Sequence, residues 1–245
     1  MGSMIYYQVR EKMKWIYLHI FTLILVISNF SQERRRVNLG IKSGAVISSF
    51  WGNGVESFEE NMSSEVGDFD ADMILSLTIA GLISYDFIPG FFNVQGELQY
   101  LRSGKNWEFD LESEEEVSFG FYTDYLSIPI LFKLLISLNT SILPAVYAGP
   151  SFYIQLRSRA RNLEVVPDSL RSEFLAGLGN RQNISNQVSN FDIGFHTGFS
   201  VDFLTKPGAI VLDFRFAFGA INVFTIDGGE EFRNCSFSVM IGYVF

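Results

Sequence analysis

The last eleven residues, Cys235 to Phe245, place a large apolar side chain at every second position. Phe237, Val239, Ile241, Tyr243 and Phe245 fall on one parity, and Ser236, Ser238 and Gly242 fall on the other. A period of two is the mark of a β-strand with two unlike faces. This strand finishes on an aromatic residue that is also the chain terminus. A barrel in an outer membrane has use for such a strand, because one face meets lipid and the other a polar lumen.

Seven further segments alternate in the same way. The first, Val37–Ile47, sets Val37, Leu39 and Ile41 against Asn38, Gly40 and Lys42. The second is about Met73–Tyr85, the third Phe92–Leu101, and the fourth about Phe119–Ser137. The fifth is Ala145–Arg157, with Arg157 on the parity of Tyr147 and Tyr153. The sixth, Phe191–Phe203, is the clearest: Phe191, Ile193, Phe195, Phe199, Val201 and Phe203 oppose Asp192, Gly194, His196, Gly198, Ser200 and Asp202. The seventh is Ile210–Gly219 and the eighth is the terminal strand.

Connections alternate between short and long. Asp86–Gly90, Leu138–Ser141 and Leu204–Gly208 are turn sequences rich in Pro, Gly, Asn and Ser. The stretches 48–72, 102–118, 158–190 and 220–234 are long. Short turns on one rim and long loops on the other match an outer-membrane barrel. The expected fold is all-β: an eight-stranded antiparallel up-and-down transmembrane β-barrel with short periplasmic turns and long extracellular loops.

A soluble lipocalin-like barrel has the same alternation with the faces exchanged. Composition decides between them. Phe occurs 25 times, charged residues make up only 18% of the chain, and mean hydropathy is +0.20. The minority face is mostly Gly, Ser and Ala, whereas a soluble exterior is far more charged. The majority face carries too much Phe to fit inside eight strands.

The N-terminus reads as a signal peptide over residues 1–31, with residues 1–12 a possible non-native extension. Lys12 and Lys14 precede the apolar run Trp15–Ile27, and the small residues Ser28 and Ser31 follow. Cleavage near Ser31 or Gln32 would leave residues 32–245 as the barrel domain. That step removes Arg10, Lys12, Lys14 and Glu11, so the net charge moves from −9 to −11. Nucleic acid is therefore not an expected partner. With Cys235 as the one cysteine, no internal disulfide forms, and one His with one Cys supplies no conventional zinc site. Neither a metal nor another cofactor is expected, and the chain is read as a monomer.

Five further pieces carry a family resemblance: Asn38–Gly44, Val94–Tyr100, Tyr125-Leu-Ser-Ile-Pro-Ile-Leu-Phe-Lys133, Tyr147-Ala-Gly-Pro-Ser151 and Gly242-Tyr-Val-Phe245. The chain resembles the PorT-type, porin-like outer-membrane β-barrel proteins of Gram-negative bacteria. The Leu-x-Ile-Pro and Tyr-Ala-Gly-Pro pieces are the more specific. The resemblance implies an eight-stranded barrel and no single biochemical activity.

Three sites are expected. Lys42, Glu97, Lys133, His196, Asp213 and Arg215 share the inward parity and should form a polar lumen network, with Glu97 and Lys133 on neighbouring strands. Buried charges in so narrow a barrel must pair. Phe237, Val239, Ile241, Tyr243 and Phe245 form an assembly signal that the barrel-assembly machinery can read by strand addition. Acidic loops 48–72 and 102–118 read as solvated, self-repelling tips. Arg157, Arg159 and Arg161 alternate and would meet lipid phosphates if strand five continued above the bilayer.

Catalysis is not expected. His196 is the one histidine after residue 31, and Asp192 and Asp202 lie four and six residues away along its strand. That spacing exceeds hydrogen-bond reach. The expected function is a non-enzymatic outer-membrane barrel with a structural, adhesive or interaction role. A narrow small-solute or ion channel is the alternative, followed by a secretion-associated accessory protein.

Overall fold

A computed structural model of the chain describes residues 36–66, 68–110, 116–136, 141–162, 183–206, 208–224 and 231–245. The expected signal segment and its cleavage zone lie outside them. Eight strands close into one barrel: β1 (Val37–Trp51), β2 (Phe69–Ile88), β3 (Phe92–Asp110), β4 (Glu116–Leu135), β5 (Ile142–Arg161), β6 (Phe191–Leu204), β7 (Ala209–Gly219) and β8 (Arg233–Val244). Every strand pairs antiparallel with its sequence neighbours, and β1 pairs with β8 to close the ring. Closure leaves no unpaired sheet edge. At that seam, Gly44 lies opposite Met240. A Cβ at Gly44 would sit 2.0 Å from the Val239 carbonyl oxygen, so only glycine permits the approach.

The face assignment follows the expected parity. On β2, Met73, Leu75, Leu77 and Ile79 are 67%, 71%, 78% and 60% exposed, while Thr78, Ala80 and Leu82 point inward and are buried. A water-facing surface would not carry such a band. The apolar side chains face outward and the polar ones inward, which excludes the lipocalin-like arrangement. Phe87, Phe91 and Phe245 are exposed at the turn rim, where an interfacial aromatic girdle belongs.

The strands outrun the sequence-based ranges at the loop rim. β2, β4 and β5 each have 20 residues, about twice what a tilted strand needs to cross a bilayer. Most of the expected loop 102–118 is strand, because Trp107 and Phe109 continue the inward parity of β3 as buried aromatics and pair with the start of β4, Trp107 opposite Phe119. The expected solvated tip at 48–72 is also different. It folds as helix α1 (Asn53–Val66). Val55, Phe58 and Met62, spaced as i, i+3 and i+7, form a buried stripe, while Glu56, Glu60 and Asn61 face out.

Helix α1 enters through Gly52, whose φ of +123° suits glycine. A Cβ there would lie 2.3 Å from the Glu231 carbonyl oxygen. The Gly54 amide donates to that same oxygen at 3.1 Å, and the Glu231 amide donates to Asn53 Oδ1 at 2.8 Å. The helix is thereby fastened to the segment that leads into β8.

Candidate functional site: a polar lumen beneath an aromatic cap

The barrel interior has two zones. Alongside the exterior apolar band the inward residues are polar or charged. Beyond it, as the exterior becomes polar, they become aromatic. The two faces exchange character because lipid gives way to water outside while the inward parity stays the same.

In the polar zone, Lys42 (β1), Glu97 (β3), Asp213 and Arg215 (β7) form a neutral quartet. Arg215 holds Glu97 with two parallel hydrogen bonds, Nη1 to Oε2 at 2.7 Å and Nη2 to Oε1 at 2.9 Å. Its Nη2 also donates to Asp213 Oδ2 at 2.9 Å. Lys42 Nζ bridges the same two carboxylates, 2.7 Å from Glu97 Oε1 and in direct contact with Asp213. All four side chains are at most 1% exposed. Fork-to-fork Arg–carboxylate geometry is the strong form of such a pair. Each ion is compensated, as burial requires.

Neutral groups complete this layer. Tyr147 (β5) donates to Asp213 and accepts from Arg215 Nε at 3.3 Å, with the guanidinium 5.5 Å from its ring centroid. Gln99 accepts from Arg215 and donates to Thr78 Oγ1 at 2.9 Å. Gln95 donates to Glu97 and accepts from Lys133 Nζ at 3.4 Å. The network thus links β1, β2, β3, β4, β5 and β7.

Four of the six expected lumen residues meet in the quartet and a fifth, Lys133, joins through Gln95. Glu97 and Lys133 lie on neighbouring strands as expected but do not pair directly. Lys133 lies opposite Asn93 in the sheet register, and Glu97 reaches across the lumen to Arg215 and Lys42 instead. His196 sits one layer toward the loop rim. Its Nε2 is 2.5 Å from the Tyr153 hydroxyl, and its Nδ1 has no hydrogen-bond partner. Without an orienting carboxylate on Nδ1 and a nucleophile on Nε2, this imidazole lacks the arrangement of a hydrolytic triad.

Tyr153 packs edge-on against Tyr125 at 5.9 Å. Asn234 Nδ2 donates to the Tyr125 hydroxyl at 3.2 Å and to Asp192 Oδ2 at 3.3 Å, so Asp192 belongs to this layer and not to His196. Serine and threonine pairs fill the wall beside it: Ser127 with Ser151, and Thr123 with Ser158, each at 2.8 Å.

Above lies the aromatic cap. Trp107 stacks on Phe119 at 5.3 Å, and Phe58 from α1 meets both rings edge-on, at 5.2 and 6.0 Å. Phe50, Phe121, Phe224 and Phe232 close the other side through edge contacts of 5.3 to 6.5 Å. Edge-to-face packing suits the ring quadrupoles. Glu59 fastens α1 to the wall, accepting from Trp107 Nε1 at 3.1 Å and meeting Lys105 Nζ at 2.5 Å. Glu59 is therefore a tether, whereas the sequence pattern put it in a solvated acidic tip.

Most of the cap lies beyond the expected strands: Phe50, Val55, Phe58, Met62, Trp107 and Phe109 fall in the expected loops 48–72 and 102–118, and only Phe119 and Phe121 fall in an expected strand. The spacing of Val55, Phe58 and Met62 was the available signal. Tyr147 was assigned to the inward face, but its role as a strut between Asp213 and Arg215 depends on strands 66 residues apart. In β8, Phe237, Val239 and Ile241 face outward as expected, and the Phe245 amide donates to the Leu39 carbonyl at 2.8 Å.

The protein family described as outer membrane protein beta-barrel domain matches residues 30–225. No curated protein sequence matches the chain. Among solved structures, similarity is found to the attachment invasion locus protein Ail of Yersinia pestis, at 13% identity over 86% of this chain and all of that one, with a TM-score of 0.36. Neisserial surface protein A is 12% identical over 83% of this chain and 95% of its own, with a TM-score of 0.41. OprG from Pseudomonas aeruginosa is 11% identical over 88% and 99%, also at 0.41.

Proposed function

The chain belongs to the outer membrane protein beta-barrel domain family, and from that premise we propose that it is a non-conducting, non-enzymatic barrel acting through its outer end. The observation that carries this reading is a pair of buried side-chain layers inside the barrel. The Arg215–Glu97–Lys42–Asp213 quartet joins β1, β3 and β7 across the lumen at one level, and the buried aromatic cap packs with α1 at another; both support a closed lumen. An eight-stranded barrel has room for its side chains and little else.

Short turns place the 86–90 side of the barrel in the periplasm and the capped end outside. The exposed face of α1, with Glu56 and Glu60, then forms a fixed acidic platform toward the medium. A platform held by a buried apolar stripe presents the same surface to every partner, which suits adhesion or another interaction role. The finer family placement we propose is the PorT-type group, on the Tyr125–Lys133 and Tyr147–Ser151 motifs. Delivery would use residues 1–31 as a cleaved signal peptide. Insertion would use the Phe237-to-Phe245 pattern, read by the assembly machinery through strand addition. The inserted protein would work as a monomer surrounded by outer-membrane lipid.

Reconstitution in planar bilayers tests the central claim. The expected record has no unitary conductance at any holding potential. Stable unitary currents from folded protein would refute the closed lumen and install the small-solute channel in its place.

A further inference from the structure

The parity of β5 breaks once. Tyr125 lies opposite Gln155 and Asp124 opposite Arg157, so Leu156 is an extra residue in a β-bulge. Leu156 and Arg157 are both exposed as a result. Beyond the bulge Ser158 and Ala160 point inward, with Ala160 inside the aromatic cap, and Arg157, Arg159 and Arg161 point outward. The sequence parity put Arg157 on the lumen face. Unbroken, it would have driven three guanidinium groups into the cap, where nothing neutralises them. Bulges often re-aim side chains in this way.

The re-aimed arginines join a polar field on the outer wall. Across the sheet, Arg102, Asp124 and Arg157 form one row, Gly104, Tyr122 and Arg159 the next, and Asn106, Gly120 and Arg161 the third. A cleft of about 320 Å³ opens there, lined by Arg102, Tyr122, Asp124, Arg159, Arg161 and Asn162. Asp124 is already engaged. It accepts from Arg102 Nε at 2.7 Å and Nη2 at 3.3 Å, and from the Tyr100 hydroxyl at 2.9 Å. Among the described residues, no carboxylate makes an ion-pair contact with Arg159 or Arg161, and Asp124 attracts Arg159 only through space. Arg161 lies over the Tyr122 ring at 5.4 Å, which holds its guanidinium at the cleft. Four arginines against one aspartate stand out in a chain of net charge −9.

The cleft sits at the upper edge of the lipid-facing band. Directly below it on the same two strands are the outward side chains Leu126, Ile128, Ile154 and Leu156. Cationic forks above and an apolar wall below match an anionic amphiphile, and guanidinium geometry favours phosphate. The volume exceeds that of one phosphate and suits a phosphorylated sugar. We propose that this cleft seats the phosphorylated headgroup of an outer-leaflet glycolipid, with its acyl chains along Leu126, Ile128, Ile154 and Leu156. The proposal rests on the outer-membrane placement above.

The test uses the refolded full barrel in phosphatidylcholine vesicles carrying diphosphoryl lipid A, compared with vesicles carrying the dephosphorylated lipid. The variants are Arg159→Glu/Arg161→Glu and Arg36→Glu/Lys206→Glu, the second making the same charge change at the opposite rim. Retention of diphosphoryl lipid A should fall at least about tenfold in the cleft variant, since each charged hydrogen bond contributes roughly that factor or more. The opposite-rim variant should retain it as the wild type does, and the dephosphorylated lipid should bind weakly throughout. Equal retention of both lipids, or equal loss in both variants, would overturn the proposal. Displacement by an equal concentration of inorganic phosphate would overturn the lipid assignment in favour of a simple anion site. If charge reversal blocks folding, Arg159→Gln/Arg161→Gln makes the same comparison. A heat-modifiable gel shift reports folding separately, so its absence in the wild type would count against the barrel reading and not against the cleft.

Discussion

Arg215→Ala is the sharpest probe of the closed lumen. The guanidinium supplies three ion-pair hydrogen bonds of 2.7 to 2.9 Å to Glu97 and Asp213. Without it, two carboxylates share one ammonium, Lys42, in a space where no side chain of the quartet is more than 1% exposed. One negative charge is then uncompensated. Removing one partner of a buried pair costs about 3–5 kcal/mol, most of it from the charge left behind. Arg215→Met combined with Glu97→Gln leaves Lys42 and Asp213 as a neutral pair. It should therefore cost less than the two single changes summed, with a coupling of about 1–3 kcal/mol. The assay is urea unfolding in phospholipid vesicles, with the folded fraction read from the heat-modifiable gel shift. Should water enter the vacated space freely, the single substitution would cost less than about 1 kcal/mol and the coupling would vanish. That result would refute the argument that the quartet lies in a dry, closed section.

Two further outcomes follow from the cap and the terminal strand. Phe58→Ala removes the ring that α1 lodges against Trp107 and Phe119. It should cost about 3–5 kcal/mol locally, seen as proteolytic cleavage within 53–66 and a red shift in tryptophan emission, while the gel shift of the membrane-embedded barrel persists. Phe245→Ser should lower the yield of folded protein in the outer membrane, while refolding of the purified chain in detergent stays near normal; equal yields in cells would argue against an assembly-signal role.

The membrane-facing half of this molecule was legible from residue order. The alternation in Phe191–Phe203 and in Ser236–Phe245 placed the inward and outward side chains there, because a strand's side-chain period is fixed by its backbone. The same parity brought Lys42, Glu97, Asp213 and Arg215 to one lumen. It did not say which would pair. Lys133 and Glu97 are neighbours by strand order, but the antiparallel register sets Lys133 beside Asn93, and Arg215 reaches Glu97 across the barrel.

The outer end was misread where a local pattern changes meaning with its surroundings. Trp107 and Phe109 look like aromatic residues in an acidic loop until strand extension makes them the lining of a cap. Val55, Phe58 and Met62 are a helical stripe only once there is an apolar surface to receive them. The bulge at Leu156 is invisible to a period of two, because one inserted residue reverses every later assignment on β5.

The sequence by itself determined a closed eight-stranded barrel, its lipid-facing surface and the composition of its lumen, since those depend on backbone periodicity and on the polarity of each face. Only the tertiary structure decided the register that joins the quartet, the packing of α1 against Trp107 and Phe119 and the direction of Arg159 and Arg161. Each of those depends on contacts between residues far apart in the chain, whose energies no local pattern records.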